Sequence, residues 1–412
     1  MAASLNVFLV FVFLLPVSVS AASYNDTREL HRFLFADNTY NKNIRPMDDQ
    51  DETTIVDLHM RLLGITDIDE VQERLSTIAY LIINWQDSRL MWDKAMFNDV
   101  DNIQLPQTAI WKPHIALVNG FTKLDTLGSD FIRVLVDNNG LVGWFPYEVF
   151  ETQCSVDIEY FPFDKQTCDI RFRVWSSGAN EVRLHAFDIE MDEYKESGKW
   201  DFVKSSAIAS FSEDFESVVT FSITIKRKSH HIMVTIVLPI TMLSIMSVCT
   251  FLIPIESGEK MGYSITLYLA FAVFLTIVSG SLPASATMSL LSVYLVVLLS
   301  VGTTTIIITA LQLRLHYRQD SHQIPKCVKC LVRLCRALQC RKSTRKIQNC
   351  ENTIDDLSTC SRHEMASPIP DLQDMTWPDV TSAIDFLCFW VVMIAVILST
   401  ILLFAIGSKQ SQ

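Results

Sequence analysis

The chain has 412 residues, 49% of them hydrophobic, a mean hydropathy of +0.25 and a net charge of −12. That length and apolar content allow a sizeable folded domain together with membrane spans. The charge is uneven: Ser23 to Lys228 carries 35 acidic against 21 basic residues, whereas Arg314 to Lys346 carries 10 basic and one acidic. An acidic exterior with a basic juxtamembrane stretch fits the positive-inside rule and argues against nucleic acid as a partner.

Residues 1–22 read as a secretory signal, with Leu5 to Leu15 as its apolar core and small residues at Ser18 to Ala22 for cleavage. The usual basic n-region is missing apart from the terminal amine. Asn25-Asp26-Thr27 is a glycosylation sequon just inside the mature chain. Thr27 to Phe35 suits a short helix with Leu30, Phe33 and Leu34 on one side. The hydrophobic period then becomes two, at Val56 to Leu62, Phe131 to Val136, Cys168 to Val174 and Val218 to Ile225. Turn signals at Asp137-Asn138-Asn139-Gly140 and Ser176-Ser177-Gly178 separate such segments. About 200 residues of short strands without a βαβ rhythm predict an antiparallel sandwich.

The ten cysteines divide between the two parts of the chain. Only Cys154 and Cys168 precede residue 229, while six crowd between Cys327 and Cys360. This predicts one disulfide in an oxidising compartment and reduced thiols in the cytosol. A bridge closing about fifteen residues stabilises by about 3 kcal/mol on the chain-entropy model. The enclosed loop is unusually apolar at Tyr160, Phe161 and Phe163, so its tip needs something to bury against.

Four spans follow: Ile232–Leu252, Met261–Leu282, Met288–Ala310 and Phe386–Ile406. Each is long enough to cross a hydrocarbon core of roughly 30 Å as a helix. Pro239 sits inside the first and leaves a carbonyl without its helical partner. The linker Ile253–Lys260 has room only for a tight turn. On the second span Gly262, Thr266, Leu269, Val273, Thr276 and Gly280 fall on one stripe of small, hydroxylated or moderately apolar side chains, with Glu256 and Glu259 at its N-terminal mouth. Several copies of such a span could line a cation pathway; the plainer alternative is a bundle helix whose hydroxyls bond back to its own carbonyls. In the cytoplasmic segment, Cys327, Cys330, Cys335 and Cys340 suit three readings. These are a zinc site, which the irregular spacing disfavours, a basic helix near anionic lipid, and reversible acylation.

The cysteine pair enclosing Phe161-Pro162-Phe163-Asp164, the run Trp85-Gln86-Asp87-Ser88-Arg89-Leu90-Met91-Trp92, then Trp111-Lys112-Pro113, Trp175 and Glu196-Ser197-Gly198-Lys199-Trp200 occur in order. Gly258-Glu259-Lys260-Met261 opens the second span. Together these motifs resemble the Cys-loop family of pentameric neurotransmitter-gated channels, nearest to nicotinic acetylcholine receptor subunits. The resemblance implies a multidomain α+β membrane protein, an extracellular antiparallel β-sandwich followed by a four-helix transmembrane bundle. It divides the chain into a signal peptide (1–22), ligand-binding sandwich (23–228), spans 1–3 (229–313), cytoplasmic loop (314–382) and span 4 with an extracellular C-terminus (383–412). Both mature termini are expected outside a plasma membrane, at a postsynaptic site. No enzyme motif and no cofactor or metal is expected; the partners are homologous subunits, a small cationic neurotransmitter, membrane lipid and permeant cations.

In that family an agonist ammonium sits between two subunits in a cage of aromatic faces, each worth about 0.5–2 kcal/mol. By resemblance, Trp175 belongs to the principal face and Trp85 to the complementary face, with Arg133 and Phe145 on the complementary strands. The principal face departs from the pattern. His114 stands for an aspartate and Val118 for a tyrosine, and no cysteine or tyrosine lies between Trp200 and Lys226, where Phe211 and Phe215 are the replacement rings. The chain therefore reads as a cation-channel subunit of the non-α kind that completes a neighbour's site. A channel gated by another amine such as serotonin, or a subunit with a purely structural, pore-lining role, is the alternative.

Overall fold

The structure is a computed structural model and describes residues 22–36, 40–122, 124, 127–211, 216–280, 288–318, 324–338 and 376–410. The signal segment 1–21, Phe215, and most of the cytoplasmic segment lie outside the described residues. The chain divides into two compact units. One runs to Val156 and resumes over Gln166–Lys226; the other joins Asp157–Lys165 to everything from Arg227 onward.

In the first unit, α1 (Tyr24–Phe35) begins at a capping box between Ser23 and Asp26. Leu30 and Leu34, four apart, are buried, but Phe33 stays exposed and tilts against Phe97, so the expected three-residue face narrows to two. Among the described residues, eleven strands form two sheets. The larger sheet holds β1 (Thr54–Asp69), β2 (Arg74–Gln86), β3 (Asn102–Pro106), β5 (Arg133–Asp137), β6 (Leu141–Trp144), β7 (Tyr147–Gln153) and β9 (Val182–Ala186). The smaller holds β4 (Ile115–Leu117), β8 (Lys165–Val174), β10 (Trp200–Phe211) and β11 (Ser217–Arg227).

β1 pairs with β9 in parallel, whereas β1–β2, β2–β6, β2–β7, β3–β5, β4–β8 and β5–β6 are antiparallel. Alternating side chains from both sheets meet in one core. Phe150 of β7 packs edge-on to Phe172 of β8 at 5.3 Å, and Phe172 in turn meets Phe221 of β11 at 6.1 Å. The β5–β6 turn uses Gly140 at φ 80°, and Asp137 Oδ1 accepts from the Asn139 and Leu141 N–H groups.

Among the described residues, the second unit holds four helices long and apolar enough to cross a membrane: α2 (His230–Leu252), α3 (Lys260–Gly280), α4 (Leu290–His316) and α6 (Trp377–Gln410). In α2 the backbone accommodates Pro239 with a π turn over Met233–Val237, where the Leu238 N–H reaches Met233 O. The α2–α3 linker turns at Gly258, whose φ of 74° a side chain would disfavour. Helix α6 starts nine residues before the expected fourth span. Its added turns have apolar cover, because Trp377, Val380 and Ala383 pack on Val332 and Cys335 of α5 (Lys326–Leu338).

Candidate functional site

Helix α3 presents two unlike sides. Lys260, Ser264, Phe271 and Val278 are buried and lie within about 40° of one another at 100° per residue. On the opposite side Gly262, Thr266, Leu269, Val273, Thr276 and Gly280 are all exposed in the single chain, with Leu269 at 63%. Ile265 and Ile277 border the same arc, so Ile265 belongs with the stripe rather than behind it. Thr266 Oγ1 donates to Gly262 O at 2.8 Å and Thr276 Oγ1 to Val273 O at 2.7 Å. These hydroxyls bond back to the helix as the plainer alternative anticipates. With the proton spent on a carbonyl, each hydroxyl oxygen keeps lone pairs free to accept.

At the N-terminal mouth Glu256 and Glu259 are both exposed, and Glu259 O accepts the first α3 bond from the Tyr263 N–H at 2.9 Å. Lys260 follows Glu259 directly in sequence but turns to the other side. It is 3% exposed, ion-paired to Asp385 of α6 and 5.8 Å from the Phe251 ring centroid. The pairing takes the Lys260 charge away from this end of the helix, where Glu256 and Glu259 stay exposed.

The Cys154–Cys168 disulfide is formed, with Cα atoms 5.2 Å apart. The loop tip finds its cover among the helices of the second unit. Phe161 is buried beneath the Arg227 guanidinium at 4.9 Å, and Arg227 makes a buried pair with Asp164 at 2.8 and 3.1 Å. The Leu290 N–H at the start of α4 donates to Glu159 O at 2.8 Å. A Cβ at Gly407 of α6 would collide with the Phe163 ring, so that position needs a glycine.

The aromatic residues of the sandwich separate differently from the sequence expectation. Trp85 is 2% exposed, lies between Val56 and Val142 in register, and meets Trp111 edge-on at 6.0 Å. It is a core residue, because strand alternation points position 85 inward. The same alternation turns Tyr80, five residues earlier, to the outer face opposite Tyr147, with the Arg61 guanidinium 5.4 Å from its ring. Arg61 is held by Glu190, its Nε donating at 2.7 Å. Arg133, Leu135, Phe145 and Tyr147 are exposed as well. The signal for Tyr80 was present in the sequence as an odd separation from Trp85.

On the other side, β4–β8 pairing brings the segment around Val118 beside Trp175. The Trp175 N–H donates to His114 O and the Val118 N–H to Arg171 O, both at 2.8 Å. Trp175 is 51% exposed and Val118 is exposed where a ring would stand. Asn25 is exposed on α1. On α5, exposed Cys330 and buried Cys335 point to different sides, so they do not converge on one metal. Among the described residues no group of three or more potential ligands could hold a metal ion.

The profile of the neurotransmitter-gated ion-channel ligand binding domain matches residues 27–229, and that of the neurotransmitter-gated ion-channel transmembrane region matches residues 236–375. The acetylcholine receptor subunit beta-type acr-2 of Caenorhabditis elegans is 31% identical over 70% of this chain and 52% of its own length. The acetylcholine receptor subunit delta of Gallus gallus is 30% identical over 73% of this chain and 63% of its own. The neuronal acetylcholine receptor subunit alpha-6 of Rattus norvegicus is 28% identical over 73% and 62%. The chain thus spans between about half and two thirds of the length of the relatives it matches.

Proposed function

This chain belongs to the neurotransmitter-gated ion-channel family, as a Cys-loop subunit of nicotinic type and not an enzyme, and on that premise we propose that it is one subunit of a pentameric, amine-gated cation channel. The observation that carries the reading is the exposed arc of α3. Its own bundle uses only the far side of the helix, and five such arcs brought together would enclose a weakly polar path with a leucine ring at Leu269. Exposed Glu259, with Glu256 beside it, would form the acidic ring that selects cations. Homologous subunits supply the other arcs, and the chain would sit in the plasma membrane with both mature termini outside, at a postsynaptic site. Basic α5, alongside the ends of α4 and α6, suits anionic lipid.

The chain is an accessory subunit in this reading. Val118 and the lack of a tyrosine between Trp200 and Lys226 weaken its principal face, while Arg133, Phe145 and the outward Tyr80 remain available to a neighbour's site. A purely structural, pore-lining role is the second reading, favoured by the burial of Trp85. The test is expression alone and with an α-type subunit. The chain alone should be silent to acetylcholine, and the pair should carry cation current. In the pair, Glu259→Gln should move the reversal potential toward that of chloride in a dilution series; an unmoved reversal potential would remove Glu259 from selectivity. Serotonin applied to the same cells tests the alternative amine.

A further inference from the structure

Arg173 lies on β8 one residue before its end and Trp175 directly follows the strand, two residues on and toward the same side. The Arg173 guanidinium carbon stands 4.3 Å from the Trp175 ring centroid, closer than the other cation–ring contacts to outward rings of this unit. Glu216, just before β11, holds that guanidinium with both carboxylate oxygens, at 2.6 and 2.7 Å. β8 and β11 are neighbours in the smaller sheet, which fixes both ends of the clamp. Phe211, at the end of β10, likewise has the Arg183 guanidinium over its ring at 5.0 Å.

We propose that Trp175 is self-liganded: Arg173, clamped by Glu216, fills the seat that an external ammonium would take on the principal face. The inference rests on the reading of this face as the place where an amine would approach. Its chemistry is that of competition. Arg173 is tethered, so it meets the ring at an effective concentration on the order of millimolar or more, and a free amine at micromolar concentration loses. An incoming ammonium would also have to part a charge-assisted contact in which Arg173 Nη1 donates to both carboxylate oxygens of Glu216. Removing the guanidinium alone leaves a carboxylate beside a half-exposed indole, which is a two-part ammonium site. Arg173 is therefore a specificity determinant that keeps this face silent, over and above the rings the face lacks.

The test uses full-length chain in detergent and N-methylpyridinium, a small organic cation that quenches indole emission. Subtracting the Trp175→Phe signal isolates Trp175. In the wild-type chain the Trp175-dependent part should be near nil. Arg173→Ala should raise cation affinity at that ring by about 2- to 30-fold, the range of one cation–π contact. Arg173→Lys should stay protected, because it keeps a tethered cation, and it serves as the folding control for the site. Glu216→Gln should give an intermediate gain. Neutral acrylamide separates a cation seat from simple shielding: an equal rise with acrylamide would overturn the proposal, as would equal Trp175-dependent cation quenching in wild type and Arg173→Ala. The accessory reading fails separately, if the co-expressed pair gives no acetylcholine current while the quenching pattern holds.

Discussion

At the residue scale, one strand separates a buried aromatic from an outward one. Trp85 and Tyr80 are five apart on β2 and so face opposite ways. Truncating a buried tryptophan costs about 3–5 kcal/mol, so Trp85→Ala should lower surface expression of assembled receptor. Tyr80→Ala should leave expression near normal and shift acetylcholine dose dependence of the co-expressed pair by about 2- to 30-fold. An unshifted dose curve would take Tyr80 out of the complementary face. Asp169 offers a pH signature in the same unit. Burial alone would raise its carboxyl, but the Ser222 hydroxyl, donating at 2.7 Å, and the Arg171 guanidinium outweigh burial and hold it below its ordinary value of 3.8. A depressed carboxyl stabilises the fold above its unfolded value and loses that contribution as pH falls through the folded one. The melting temperature should accordingly be higher for wild type than for Asp169→Asn at pH 7, with the gap closing below pH 3.8. A gap that persists at low pH would assign the effect to packing.

At the scale of the element, α3 shows how little a helix's average composition says about its role. It is mostly apolar, yet only Phe271 and Val278 of its large apolar side chains are buried. Leu269, near mid-helix, is the most exposed large apolar side chain along it. A ring of leucines at a constriction expels water and blocks ions without closing the path sterically. Leu269→Thr should therefore raise spontaneous opening or lower the agonist concentration for half-activation of the pentamer. If the mutant gates as wild type does, the constriction lies elsewhere, with exposed Val273 next. Helix α5 makes the complementary point, since its buried side is spent on α6 and only its basic and apolar remainder faces outward.

For the whole molecule, the disulfide loop matters because root and tip belong to different units. Cys154 and Cys168 close the root in the sandwich, while Phe161, Phe163 and Asp164 pack within the helical unit. Breaking a buried ion pair such as Arg227–Asp164 by removing one partner costs about 3–5 kcal/mol, so the tip tolerates little displacement. Cys154→Ser should abolish surface pentamers rather than weaken agonist binding, as measured by surface labelling and native gels. Normal surface pentamers from that variant would mean that the loop keeps its packing without closure.

Short-range pattern in the sequence was enough to determine the two-part architecture, the four spans, the cysteine pair and the α3 stripe. The cysteine pair follows from there being only two cysteines before residue 229, and the others depend on a period of 2 or 3.6 or on run length, which neighbouring residues specify. What tertiary structure decided is where a side chain points when its motif is satisfied either way. Trp85 matched its motif and went into the core, since the register between β1 and β6 leaves it no outer face. Lys260 sat in a motif beside Glu259 and turned away, because Asp385, 125 residues later, supplies the charge that makes its burial tolerable. Arg173 gave no sequence signal at all. Its role depends on Glu216, 43 residues away, being brought to the same edge by β8 and β11.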